Sequence, residues 1–445
     1  MKSGGLITAL GVLVVLGGLV WWFNKHPTAN TASKTPPAPK LISVDAKQID
    51  DIVLAKTGSD PVELAKLADS WTIAKPTPMP ADQDAVGMLT STLATLNADR
   101  LIDDHPASLN DFGLANPAVE VDVTVKGGKT TKLLLGSDTP AATGTYAKLG
   151  SDPKVYTIPT YTKASFDKTV NDLRDKRLLT FNQDKLTAVA ITGKGPTFEF
   201  GKKAQGDWQI TKPKPMRADG LQVDDVIRKL KDAKMDLTAA NYDPKAVAAQ
   251  FASGEKVGTV STTDNTGTQT VEVHKSKDKD GGYYAKSSAV AGIYKVAGDL
   301  GDSLGKSVDD YRNKKLFDFG FNDPTKLEIN GTAYQKSADK WTSGSTPYEA
   351  GTVQMVIDKL RDLSASKFLD KMSGTQMLTV AVTSGDKNRY EKVAINKDGA
   401  AYDAQRDGEP AVYVIEAKDV DDLQKAIAGI KQQLPTEKTG SPKKK

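Results

Sequence analysis

The sequence predicts an α+β protein: three tandem repeats of one unit, each an antiparallel sheet covered by two helices, preceded by one N-terminal transmembrane helix. Three observations carry this. A tryptophan-led strand recurs at Trp71, Trp208 and Trp341, separated by 137 and 133 residues. Each such strand leads through a short link into a segment whose apolar residues recur at helical spacing. Between the helices lie runs that alternate apolar and polar, the period of a strand with one buried and one wet face.

Along the chain, the first element is the uncharged run GGLITALGVLVVLGGLVWWF, Gly4 to Phe23. As a helix of 20 residues it spans roughly 30 Å, the thickness of a bilayer's hydrocarbon core. It ends on Trp21, Trp22 and Phe23 followed by Lys25, where amphipathic rings and a cation meet the headgroups. The run exceeds the apolar part of a usual signal peptide and no A-x-A site follows it, so residues 1–23 are expected to remain as an anchor. A short stub before the helix and a long body after it imply export of the body, placing it outside the cytoplasm on the periplasmic side of the inner membrane. Residues 24–44, which include PTANTASKTPPAPK, are too rich in Pro, Thr and Ala to bury a core and are expected to form a stalk.

The repeats are expected at 45–181, 182–319 and 320–434, the last one shortened, with a basic tail at 435–445. WTIAKP, WQITKP and WTSGSTP open the tryptophan strands, and Trp71, Trp208 and Trp341 are expected to anchor each sheet to its helix. The helices that follow carry Val86, Leu89, Leu93 and Leu96; Val223, Val226, Ile227 and Leu230; and Val353, Val356, Ile357 and Leu360. Asp82 and Asp219 stand where an N-cap satisfies free amides at the positive end of the helix dipole. VEVDVTV at 119–125, TVEVHK at 270–275 and LTVAVTS at 378–384 are the middle strands. VYTIPT, IYKVAG and VYVIEA are strands before a last amphipathic helix, and two of those helices are expected to end alike, in RDKRLLTF (174–181) and RNKKLFDF (312–319).

Composition narrows the chemistry. The 445 residues include no Cys and three His, at 26, 105 and 274. Disulfides, thiolate nucleophiles and thiolate metal sites are excluded, and a multi-histidine metal site or a Ser-His-Asp triad would need improbable convergence. The net charge of +4 arises at the ends: residues 1–40 hold four Lys and no acid, and 435–445 hold four Lys and one Glu, which leaves about −3 for the body. A nucleic-acid binder concentrates its cations on the folded domain, so nucleic acid is not an expected partner.

The anchor, the Pro-rich stalk, the repeated W-x-I-x-K-P, the Ala-Asp helix starts PADQDAV and RADGLQV, and DFGLANP at 111–117 together resemble the bacterial family of domain of unknown function 4340. The resemblance implies an extracytoplasmic repeat protein associated with gliding-type ABC exporters, with an exporter permease or auxiliary subunits as partners. It covers the first two repeats well and the third poorly. A DFG-x-x-x-P string recurs as DFGFNDP at 318–324, between the second and third repeats. The resemblance carries over no catalytic residue.

Other motifs have plain readings. GDSLGKS at 301–307 has three residues where a phosphate-binding loop needs four before its Gly-Lys-Ser. Ser364 to Lys367 with Lys438-Thr439-Gly440 imitates an S-x-x-K acylase, but the spacing recurs throughout a chain rich in Ser and Lys. KDKDGG lacks the terminal acid of a calcium loop and reads as a hairpin turn. No catalytic, cofactor or metal residue is expected. The chain is expected to act through protein contacts or, in an alternative reading, to bind a polysaccharide or peptide between repeats, with Tyr283 and Tyr284 as exposed aromatics.

Overall fold

The computed structural model describes residues 39–434, apart from 194, 203–205, 239–242, 280, 323 and 386. The expected membrane helix, most of the stalk and the basic tail lie outside the described residues. Among those described, no helix is long and apolar enough to cross a membrane. The chain divides into two compact units, one up to Asp175 and one from Lys176 onward. The described residues form three antiparallel sheets of nine, eight and nine strands, with eight α-helices, an α+β architecture repeated three times.

One plan serves all three modules. Two meanders of short strands meet at a seam where their first strands pair. The seam is Ile49–Lys56 against Val119–Val125 in the first module, Ala188–Thr192 against Glu255–Asp264 in the second, and Pro324–Ile329 against Thr375–Ser384 in the third. The crossover between the meanders carries the main helix. In the first module this is α1 (Gln83–Ala94), and the module ends with the short α2 (Thr160–Phe166) and α3 (Val170–Leu173). The second module holds the main helix α4 (Gly220–Asp232) with α5 (Pro244–Ser253) and α6 (Gly298–Leu304). The third holds α7 (Ala350–Asp362) and α8 (Ala417–Ala428).

Packing follows from periodicity. The main helices bury Val86, Leu89 and Leu93, Val223, Val226, Ile227 and Leu230, and Val353, Val356, Ile357 and Leu360. These meet the inward faces of the strands, such as Val119, Val121 and Val123 or Val380 and Val382, to form three separate apolar cores. Burial of such side chains contributes roughly 1.5–3 kcal/mol each.

Each module also closes on itself by two isolated bridges. Lys40 pairs with Asn97, Arg177 with Lys234, and Lys315 with Ser364; Ala81 pairs with Arg174, Ala218 with Arg312, and Tyr348 with Gln432. These pairs set where one module stops and the next starts. Leu178, Leu179 and Phe181 lie in the second core, and Leu316, Phe317 and Phe319 in the third. RDKRLLTF and RNKKLFDF therefore straddle the joints: Arg174 and Arg312 end the last turn of the module before, while the apolar residues that follow are entry segments of the next module. In the same way Leu41 and Ile42, at the expected end of the stalk, are buried in the first core. In the first two modules the last helices are shorter than their sequences suggest. Helices α2 and α6 have seven residues each, and the chain then leaves through a second short turn.

The second module departs from the plan at one edge. Arg100–Asp103 and Ala365–Leu369 form a ninth strand in the other two sheets, but here a single bridge, Asp236 to Lys295, takes its place. Helix α5 packs beside that edge, capped by Asp243 with Pro244 in its first turn.

Candidate functional site

Two residues before its main helix is capped, the second module sends Arg217 from the short strand Met216–Arg217 into the third module. The guanidinium, 14 % exposed, bonds through Nε to Glu409 at 2.9 Å and through Nη2 to the Tyr413 hydroxyl at 3.0 Å and the Lys315 carbonyl. Nη1 lies 3.5 Å from Asp318. Arg406 donates to the same Glu409 at 2.9 Å, to Glu391 at 2.9 Å and to the Leu316 carbonyl. The Glu391 carboxylate also accepts the Asp318 amide at 3.0 Å and Arg389 at 3.2 Å, and Tyr413 donates its hydroxyl to Glu409 at 2.7 Å.

Three guanidinium groups thus meet three carboxylates, with main-chain oxygens of the entry segment accepting further donors. Burial by itself would raise the Glu409 carboxyl, but Arg217 and Arg406 hold it below the ordinary range. Burial likewise works against the charge on Arg217, yet Tyr413 and Glu409 raise its affinity for the proton above the ordinary value. Burial raises the Tyr413 phenol even with Arg217 beside it. Every member of the cluster is partnered, so the arrangement holds two modules together and presents no activated nucleophile. Nearby, Lys214 reaches Asp370 at 3.2 Å, and the Arg312 guanidinium lies 3.4 Å from the centroid of the Phe368 ring.

Beside the cluster a cleft of about 950 Å³ opens between the second and third modules. Lys202, Trp208, Gly220, Lys387 and Arg389 line it, with Asp207, Asp224 and Asp318.

The residues singled out by sequence fall in different places. Trp71 and Trp341 are 8 % and 2 % exposed and lie in the first and third cores. Trp208 is half-buried: it packs against the second core, and the Lys202 amine stands 5.1 Å from the centroid of its ring. Asp82 accepts the amides of Asp84 and Ala85, and Asp219 those of Leu221 and Gln222. These residues serve separate modules.

Tyr283 and Tyr284 are not the exposed platforms expected. Tyr284 is 8 % exposed, and Tyr283 is half-buried with its hydroxyl donated to Asp302 at 2.7 Å, which together with burial pushes the phenol up to about 12. The cause is close packing: the Tyr283 ring lies against α6, and its strand Tyr283–Ser287 runs beside α5. Gly301 of that helix lies so near the Tyr283 ring that a Cβ there would overlap it, and the Lys275 amine stands 5.5 Å from the ring centroid.

The remaining motifs sit in ordinary structure. GDSLGKS spans the end of α6 and a following turn in which Ser307 and Asp310 cap one another. Lys367 lies on the edge strand Ala365–Leu369, while Lys438 to Gly440 fall outside the described residues. In KDKDGG, Asp278 accepts Gln250 at 2.6 Å, and Asp280 lies outside the described residues. No group of three or more His, Asp or Glu able to hold a metal occurs among the described residues. The charged cluster was not foreseen, because its members are scattered from 217 to 413 and match no motif. The available signal was Arg217, which stands where the first module has Pro80.

A family model described as a domain of unknown function (DUF4340) matches residues 71–208 and again 208–390. The two matches begin at Trp71 and Trp208, the same landmark in successive modules. No curated protein and no solved structure matches.

Proposed function

Since this chain belongs to the DUF4340 family, we propose that it is a non-catalytic, membrane-anchored repeat arm. Gly4 to Phe23 holds it in the inner membrane, and the body works on the periplasmic side as an accessory or structural subunit of an ABC-type export or envelope complex. The observation that carries this reading is the threefold repetition of a self-closed module with its own core. Modules of this kind offer extended surface for protein contacts. The Arg217 cluster supports it further, since a partnered group of charges, with Arg217, Arg406 and Glu391 as its least exposed members, joins the second module to the third.

The test is in-cell crosslinking of a C-terminally tagged chain, mild-detergent extraction and mass spectrometry. An ABC permease and its ATPase should be recovered, and lost when one module is deleted. Recovery of no membrane protein above an unrelated anchored control would sink this reading.

A second reading is favoured by one observation, the cleft between the second and third modules. In it the chain binds an envelope polysaccharide or peptide there.

A further inference from the structure

We propose, building on the ligand-binding reading above and naming its ligand class, that this cleft takes an acidic saccharide, a chain containing hexuronate residues, with one pyranose ring on Trp208.

Three tryptophans hold one topological position, and two of them are core residues. In the first module Gln83 covers the strand at Trp71: its side chain accepts the Trp71 amide at 2.8 Å and donates to the Trp71 carbonyl at 2.9 Å. The residue at the matching place, directly after the capping Asp219, is Gly220. A Cβ added there would meet nothing within 4 Å. The second module therefore lacks the side chain that covers the strand in the first, and Gly220 and Trp208 both line the cleft.

Charge sets the ligand class. Arg217 and Arg389 are committed to Asp318 and its neighbours, but Lys202 and Lys387 have no carboxylate partner among the described residues. Lys202 rests over the Trp208 ring, and its flexible stem lets the amine move aside for a sugar and then meet the sugar's carboxylate. Asp207 and Asp224, both exposed, offer acceptors for hydroxyl groups. An indole ring, two free ammonium groups and two hydroxyl acceptors suit a ring that is at once a polyol and an anion. An acidic peptide such as polyglutamate has no hydroxyls for the aspartates to accept and no pyranose face to lie on the indole.

The experiment is calorimetric titration of the full chain in detergent with trigalacturonate, beside maltotriose and hexaglutamate. Saturable binding of trigalacturonate is expected, with both other probes binding more weakly by about tenfold or more. Lys202→Ala with Lys387→Ala should weaken it by about tenfold or more, and Gly220→Gln, which restores the cover of the first module, should abolish it. Far-UV circular dichroism and the unfolding midpoint check that both variants stay folded. Trigalacturonate binding that neither variant changes overturns the proposal, as does equal or better binding of maltotriose or hexaglutamate. In that last case the ligand-binding reading stands while the acidic saccharide falls; if none of the three binds, both fall.

Discussion

Trp341 is 2 % exposed and among the largest fully buried side chains, whereas Trp208 is half-buried at the margin of the second core. Truncation leaves a cavity only where the ring was enclosed, so Trp341→Ala is expected to cost about 3–5 kcal/mol. Trp208→Ala should cost less than half as much, both read from urea unfolding. The caps differ in the same graded way. Asp82→Ala and Asp219→Ala each remove a side chain that accepts two amides and should cost about 1 kcal/mol. Glu349, at the corresponding place before α7, makes no side-chain cap bond, so Glu349→Ala should be nearly neutral in the same assay. Arg217→Met leaves Glu409 half-buried with Arg406 as its remaining cation, and should cost about 1–3 kcal/mol at pH 7. The folded Glu409 carboxyl lies below its ordinary value, so the stability it contributes is present above that value and is lost as the pH falls through the folded one. The defect of Arg217→Met should accordingly shrink on going from pH 7 to pH 4. A defect of equal size at both values would show that Glu409 does not carry it.

At the scale of elements, the boundaries fix which segment stabilises which core. Leu316, Phe317 and Phe319 belong to the third core although they follow the last turn of the second module. A chain ending at Asn313 should therefore unfold in urea at the same midpoint as one ending at Phe319, while the longer chain, left with three unpaired apolar residues, should aggregate more in light scattering. A lower midpoint for the shorter chain would assign the segment to the second module after all. The strands and main helices were legible because their apolar residues repeat at two and at 3.6, and because a Trp marks each copy. The entry segments were not, since RDKRLLTF and RNKKLFDF carry helix-compatible residues and only tertiary packing draws them out straight. Helix α5 was not read from the sequence, although Asp243 and Pro244 are a cap followed by a helix-starting proline, because comparison of the repeats offered no counterpart to it. DFG-x-x-x-P illustrates the limit of motif reading. Gly113 has φ +66° and sits tight against Ser137 within the first module, whereas Gly320 of the second copy, at φ +56°, has open space around it and directly follows an entry segment.

For the whole molecule, repetition set the architecture and departures from repetition set what is particular to it. Arg217 stands in place of Pro80 and Gly220 in place of Gln83, while Glu391 and Glu409 complete a cluster within the unit that begins at Lys176. None of these could be recognised as a site from one sequence, because each is ordinary until the fold brings residues 217, 318, 391, 406 and 409 together. The isolated bridges have a mechanical meaning as well. Arg312 is pinned to Ala218, and Lys315 to Ser364, with only Asn313 and Lys314 between the two pins. Three backbone steps reach at most about 11 Å when fully extended. A tensile load passing along the chain would thus find almost no slack at this joint, and the Arg217 contacts run alongside it. The second and third modules would take up tension as a single stiff element, transmitting force instead of absorbing it.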